Sequence, residues 1–349
     1  MQWQKIDEQN AEAYLRANGR IAASEQVIVR TLSGGVSNIV LLVARTSGEP
    51  IFVLKQAREQ LRVAEPWFCS VERIWREVDV LEVCQRALSS SAGTPCFPTD
   101  RTISVPRVLF CDRSQYLYAM SAAPAHRVWK QMLLDGVCDI SVASACAQLL
   151  GIIHAATWAQ PDIARQLADR SFFEQLRVDP YYRHVARKQP NLGPAFAQLI
   201  QSLSDHPHCL VHGDFSPKNI LVYDGGLMLV DFEVGHFGDP AFDIGFFLSH
   251  LVLKAFRAGP HAKGYLALID TFWEVYQALI QPTSGPHEYA LLMARGLWNL
   301  SGCLLARTDG KSQVDYLTDA TRSVVRPAAQ RLLCEPVATW PEFQARLPL

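Results

Sequence analysis

The sequence has 349 residues, 49% of them hydrophobic and 19% charged, with a formal net charge of −1. That is enough chain for two domains or one bilobal enzyme with a large core, and the charge excludes the basic excess of a general nucleic-acid binder. None of the nine cysteines stands in a C-x-x-C pair, so zinc-site spacing is missing and the thiols fit a reduced, cytoplasmic protein.

Residues 8–18 open the chain with a short helical pattern carrying Ala11, Tyr14 and Leu15 on one side. Gln26 to Leu32, Ile39 to Ala44 and Ile51 to Lys55 are β-type runs, the first two joined through Ser33-Gly34-Gly35-Val36-Ser37-Asn38. Together they predict an antiparallel meander. Residues 71–88 place Val71, Ile74, Trp75, Val78, Leu81, Cys84 and Leu88 along one helical face. The Ser, Pro, Thr and Gly content of residues 89–104 predicts a loop. Val108-Leu109-Phe110 and Tyr116 to Met120 predict two more strands, and Ser121-Ala122-Ala123-Pro124 ends the pattern. A boundary there divides the chain into residues 1–122 and residues 123–349.

The second part is predicted mostly helical, over Ser141 to Trp158, Leu192 to Leu203, Ala241 to Phe256, Lys263 to Ile280 and Tyr289 to Arg307. A β-type interlude covers Leu210-Val211, Ile220 to Val222 and Leu227 to Val230. The N-terminus lacks the basic start and apolar run of a signal peptide. The longest apolar stretch, near Ile244 to Leu253, is too short to span a bilayer. The expectation is a cytoplasmic protein without a membrane partner.

The chemistry concentrates in Val211-His212-Gly213-Asp214-Phe215-Ser216-Pro217-Lys218-Asn219-Ile220, followed twelve residues after Asn219 by Asp231-Phe232-Glu233. Phosphoryl transfer needs an acceptor for the hydroxyl proton, oxygen ligands for magnesium, and positive charge or N–H groups on the phosphates. Asp214 and Asn219 stand five apart, the spacing of base and metal-binding Asn in a kinase catalytic loop. Asn219 and Asp231 are oxygen donors suited to Mg2+, and Glu233 stands as a further ligand or as an outer contact. Ser33, Gly34, Gly35, Ser37 and Asn38 form a turn where backbone N–H groups approach phosphates. Lys55 ends an apolar β run at the position that reaches the ATP phosphates. Glu77, Glu72 and Asp79 are its possible partners; helical spacing puts Glu77 beside the apolar face without settling the choice. Adenine is expected against Met120 to Ala122.

On these residues, from about Val27 to Leu253, the chain resembles the aminoglycoside phosphotransferase and choline kinase superfamily. The resemblance makes Asp214 the catalytic base and Asn219 and Asp231 the metal ligands. It makes Asp243, in Gly238-Asp239-Pro240-Ala241-Phe242-Asp243, a brace of the catalytic loop. Lys55-Gln56-Ala57, Leu61-Arg62-Val63, Trp67 and Phe242-Asp243-Ile244-Gly245 look most like the 5-methylthioribose kinases, which implies a homodimer. Asn219 departs from that subgroup. The implied fold is α+β, the bilobal protein-kinase-like fold, with an N-terminal antiparallel β-sheet lobe and a larger, mainly helical C-terminal lobe.

The expected activity is ATP- and magnesium-dependent phosphorylation of a small-molecule hydroxyl substrate. A protein kinase fits less well, because Asp231 to Asp243 leaves no room for a peptide-docking segment. The alternatives are an aminoglycoside phosphotransferase, whose polycationic substrate calls for an acidic cleft, and a catalytically silent nucleotide-binding protein. Arg295, Arg307 and Lys311 in the C-terminal helices favour a neutral or anionic acceptor, such as a sugar derivative. Arg295, Trp298, Asn299 and Arg307 are the acceptor-site candidates there.

Overall fold

The second and third strands are buried on both faces, and that decides the architecture. The structure is a computed structural model that describes residues 3–32, 38–60, 68–90 and 101–349. Its strands are β1 (Val27–Thr31), β2 (Asn38–Arg45), β3 (Pro50–Ala57), β4 (Thr102–Ser104), β5 (Val108–Asp112), β6 (Leu117–Ser121), β7 (His126–Val128), β8 (Cys209–Val211), β9 (Ile220–Tyr223), β10 (Gly226–Leu229) and β11 (His236–Gly238). The first large helices are α1 (Ala11–Ala17), α2 (Arg73–Ser90), α3 (Trp129–Leu134) and α4 (Ile140–Thr157). Next come α5 (Pro161–Gln166), α6 (Ser171–Phe173), α7 (His184–Lys188) and α8 (Gly193–Asp205). Last are α9 (Ala241–Ala258), α10 (Lys263–Ser284), α11 (Pro286–Asp309), α12 (Asp319–Cys334) and α13 (Trp340–Ala345).

Five strands form an antiparallel sheet in the order β1-β2-β3-β6-β5. Successive side chains of a strand point to opposite faces. On β3, Phe52 and Leu54 therefore join a small core with Ile6, Tyr14 and Leu15, under α1. Val53 and Ala57 enter the main core with α2. Lys55 shares the parity of Val53 and Ala57, so the strand's period turns it towards α2.

A second sheet, β4-β10-β9-β7, and the β8/β11 pair sit among the later helices. The segment 89–104 is not the loop expected. Ser89 and Ser90 close α2, their hydroxyls donating to the carbonyls of Gln85 and Arg86. Serine can satisfy helix carbonyls this way as well as favour turns. Thr102–Ser104 pairs in parallel with β10, a strand too short to show an alternating pattern. Residues 91–100 lie outside the described residues.

Two helices meet closely at α9 and α11. A Cβ on Gly245 would lie 2.5 Å from the Leu300 amide nitrogen and 2.6 Å from Asn299 Cβ. Backbone cannot retreat there as a flexible side chain could. Gly245→Ala is expected to cost about 1–3 kcal/mol through overpacking. Urea unfolding checks this, and an unchanged midpoint would contradict so close an approach. Among the described residues, α4 alone is long and apolar enough to cross a membrane, rather than the stretch near Ile244, but 72% of it is buried inside the protein.

Candidate active site

The central strand and the helix that follows it build the first half of the site. Lys55 Nζ lies 2.7 Å from Glu77 Oε1 on α2 and 2.7 Å from Asp231 Oδ1. Glu72 and Asp79, the other candidates for this partnership, do not pair with it; Glu72 is exposed and precedes α2. Burial disfavours the Lys55 ammonium, but Asp231, Glu77 and Glu233 outweigh that effect and raise its pKa. Burial pushes the Glu77 carboxyl up to about 7, against the pull of Lys55.

The second half is a sharp turn between β8 and β9. Gly213 sits at φ +74, and a Cβ there would meet Val234 at 2.9 Å, so glycine suits this turn on both counts. Asp243, at the start of α9, accepts from the His212 amide at 2.6 Å and the Gly213 amide at 2.8 Å. The Asp214 amide donates to His212 Nδ1 at 3.1 Å. These bonds aim the Asp214 carboxylate. A short 3-10 turn, Pro217–Asn219, then brings Asn219 back to donate from Nδ2 to Asp214 Oδ2 at 2.9 Å.

Two cations hold Asp214. Arg177 Nη2 lies 2.7 Å from Oδ1 and Lys218 Nζ 2.8 Å from Oδ2. Burial tends to raise the Asp214 carboxyl, but Arg177 and Lys218 prevail and keep it below the ordinary carboxylate value. Asp231 follows the same logic, with Lys55 and Lys218 overcoming burial. Both groups are therefore ionised at neutral pH. Asp231 also adopts φ +76, a left-handed conformation that costs a non-glycine residue energy and tends to persist at functional sites.

Oxygen donors gather beside it. Atoms of Glu77, Asp231 and Glu233 lie within 4.8 Å of one another, and Glu77 Oε2 is buried without a hydrogen-bond partner. Glu233 is fixed through Oε2 by Asn38 Nδ2 at 2.9 Å and Arg73 Nε at 3.1 Å. An all-oxygen set of this charge fits a hard divalent cation such as magnesium.

The structure thus brings Asn38, Lys55, Glu77, Asp214, Asn219, Asp231 and Glu233 into one connected network. Met120 lies in β6, opposite Val53 of β3, and Ala122 follows the end of that strand. Ser33, Gly34, Gly35 and Ser37 lie outside the described residues. Among the acceptor-site candidates, Arg295 is buried against Asp239 and Glu288. Trp298 donates to the Leu333 carbonyl, and Asn299 accepts from Tyr182. Trp298 and Asn299 thus tie α11 to neighbouring helices, and Arg295 ties it to the segment before α9. Arg307 lines an open cavity.

Sequence reasoning missed Arg177 and Arg73. Arg177 stands on a π-helical stretch, Glu174–Arg183, that contains Pro180. Proline lacks the amide needed for regular helical bonding, and wide helical turns recur at functional sites. Its trace in the sequence is a charged residue between Leu176 and Val178.

Histidines around this turn give the protein a pH signature. Burial lowers His212 below its ordinary value, and burial with Arg170 pushes His236 down to about 3. A depressed folded pKa means that the unfolded chain binds more protons below about pH 6.5. This contribution to stability is complete above that pH and is lost as pH falls towards 3. Glu77 acts in the opposite sense between about pH 4.5 and 7. His236→Phe should therefore flatten the acid-side fall in unfolding free energy, measured by urea titration from pH 7 to 4. An unchanged slope would contradict a neutral buried His236.

The profile of the phosphotransferase enzyme family matches residues 28–279. The methylthioribose kinase of Yersinia pseudotuberculosis serotype O:3 (strain YPIII) is 25% identical over 376 aligned residues, covering 92% of this chain and 88% of the relative. That of Pectobacterium carotovorum subsp. carotovorum (strain PC1) is 22% identical, covering 92% and 90%. Among solved structures, a choline kinase from Cryptosporidium parvum Iowa II superposes with a TM-score of 0.56 at 13% identity, covering 98% of each chain. The amicoumacin kinase hAmiN superposes with a TM-score of 0.55 at 14% identity, covering 97% of each. Those two likenesses carry the fold: a kinase-like architecture with an antiparallel sheet followed by a mostly helical region. With its family profile spanning most of the sequence, the chain belongs to the phosphotransferase enzyme family and is a small-molecule phosphotransferase with an alcohol group as acceptor.

Proposed function

We propose that the protein is an ATP- and magnesium-dependent kinase that transfers the γ-phosphoryl group to a hydroxyl of a sugar derivative. The observation that carries this is the single network linking Lys55, Glu77 and Asp231 to Asp214 and Asn219 through Lys218. The methylthioribose kinases among its relatives support a sugar-derived acceptor.

In this reading residues 1–122 bind nucleotide, and residues 123–349 supply catalysis and the acceptor site. Adenine lies against Met120 to Ala122. Lys55 and the backbone of Ser33, Gly34, Gly35, Ser37 and Asn38 hold the phosphates. Asn219, Asp231 and Glu233 would hold magnesium, which supplies positive charge to the phosphate oxygens. Asp214 orients the acceptor hydroxyl. As the new O–P bond forms, the bond from the γ-phosphorus to the bridging oxygen breaks and ADP leaves with its electron pair. Asp214 receives the hydroxyl proton. Its low pKa makes it a weak base at rest, which suits a loose transition state in which the proton moves late.

Asp231→Asn tests the nucleotide half of this reading. By calorimetry, ATP binding to the wild type should tighten with magnesium, and the variant should lose most of that gain. Equal magnesium dependence in both proteins would contradict the role given to Asp231.

A further inference from the structure

Next to the catalytic turn lies a cavity of about 220 Å³, bordered by α3, α9, α11 and the loop that follows α11. Lys218 belongs to both places: its Nζ reaches Asp214, and its side chain lines the cavity. Lys130, Lys254 and Arg307 line it as well. The carboxylate in the lining, Asp315, is largely exposed and pairs with Lys130 at 3.3 Å. Four cations thus face one acid that is already engaged.

Two of those cations are buried. Lys254 is 1% exposed and Arg307 8%. Lys254 Nζ donates to the His250 carbonyl at 3.2 Å and lies 4.9 Å from the centre of the Tyr316 ring. Arg307 Nη1 donates to the Tyr181 hydroxyl and to Ser312, while its Nε is buried without a partner. Among the described residues, neither cation is paired with a carboxylate. Burying a cation without a counter-charge is strongly unfavourable. The Tyr316 ring attracts the Lys254 ammonium, but a ring face is no substitute for a counter-charge. Burial, reinforced by Lys130 and Arg307, drives its pKa well below the ordinary lysine value. The His250 pKa is lowered well below its ordinary value by burial, with Arg307 and Lys254 beside it, which leaves that ring no positive charge to add. The cavity gathers cationic side chains in excess of carboxylates, one side chain from Asp214.

We propose that this cavity is the acceptor subsite for an oxyanion, a carboxylate or phosphate carried by the hydroxyl compound that Asp214 presents for phosphorylation. Lys254 and Arg307 bind the oxyanion, with Lys130 at the mouth. The proposal rests on the kinase reading above and narrows its acceptor to an acidic sugar derivative, a sugar acid or a sugar phosphate. Polycationic acceptors are excluded by the same charges that select the acid.

Calorimetry on the full chain, with magnesium–ADP present to fill the nucleotide site, tests it with D-ribose, D-gluconate and D-ribose 5-phosphate. At least one of the two acids should bind about tenfold or more tightly than ribose, as expected for charge-assisted hydrogen bonds. Gluconate against ribose 5-phosphate separates carboxylate from phosphate. Lys254→Met keeps the side-chain stem and removes the charge; it should lose about tenfold or more for the preferred acid. Lys130→Met, at the surface, should lose less and guards against a folding artefact. The proposal is overturned if neither acid binds, if ribose binds as well as the acids, or if both variants bind them unchanged. ADP formation from ATP is followed in parallel. Turnover of ribose without acid preference would keep the kinase reading and sink the subsite. Acid binding lost in Lys254→Met, without ADP formed with any of the three compounds, would keep an oxyanion site in the cavity and overturn its role as the acceptor subsite.

Discussion

Asp214→Asn should lower kcat by about 10²–10⁴-fold, the range expected for loss of a positioned proton acceptor. The amide keeps the shape of the carboxylate and one oxygen acceptor, so the turn built by Asp243 and His212 should persist. Nucleotide affinity should change little if, as proposed, Lys55 and Asp231 supply that half of the site. The substitution also removes the charge that Arg177 and Lys218 neutralise. Steady-state kinetics with ATP titration checks both parts. A variant with wild-type kcat would remove Asp214 from the chemistry. One with equal losses in turnover and ATP binding would make its role structural.

Lys55→Ala is expected to be the most destabilising single change in the site. It leaves Glu77 and Asp231 buried or half-buried without their shared cation. Breaking such a pair by removing one partner costs about 3–5 kcal/mol, because the remaining charge stays desolvated. The loss should shrink as pH falls towards 6, where Glu77, already pushed up to about 7, takes a proton. Lys55→Ala combined with Glu77→Gln should cost less than the sum of the single changes, as interacting partners do in a double-mutant cycle. Urea unfolding at pH 7.5 and pH 6 measures all of this. Equal stability of the wild type and Lys55→Ala at both pH values would show that Lys55 neutralises nothing there.

Elements whose signals are local were legible in the sequence. β2 and β3 are eight residues each and mostly apolar, long enough to read as buried strands between turn signals. The turn after β8 packs the proposed base, Asp214, and Asn219 into six residues, with Asp231 on the strand-end side of one hairpin. Short strands such as β4, β7 and β11, of three residues each, carry no readable period and exist only through their partners. Arg177 and Arg73 reach Asp214 and Glu233 across the fold, and no spacing rule links residues so far apart in sequence. On α11, helical periodicity identifies an apolar face but not which polar residues meet a cavity. Arg295 and Arg307 look alike in the sequence. The fold gives one two carboxylates and leaves the other with an unpaired Nε.

Charge tells the same story at two scales. The chain is nearly neutral as a whole, yet it concentrates carboxylates around Lys55 and cations around the cavity beyond Lys218. The first group suits a metal-bound nucleotide. The second suits an acidic acceptor, and the Asp214 turn lies between them.

The most direct measurement is acceptor-dependent ADP formation from magnesium–ATP over a panel of hydroxyl compounds: methylthioribose, sugar acids, sugar phosphates, choline, homoserine and aminoglycosides. Stoichiometric conversion of a sugar-type acceptor to its phosphate ester, absent without magnesium, is the predicted result. Tight binding of magnesium–ATP with no acceptor-dependent ADP from any member of the panel would contradict it, and would make the protein a nucleotide binder rather than a kinase.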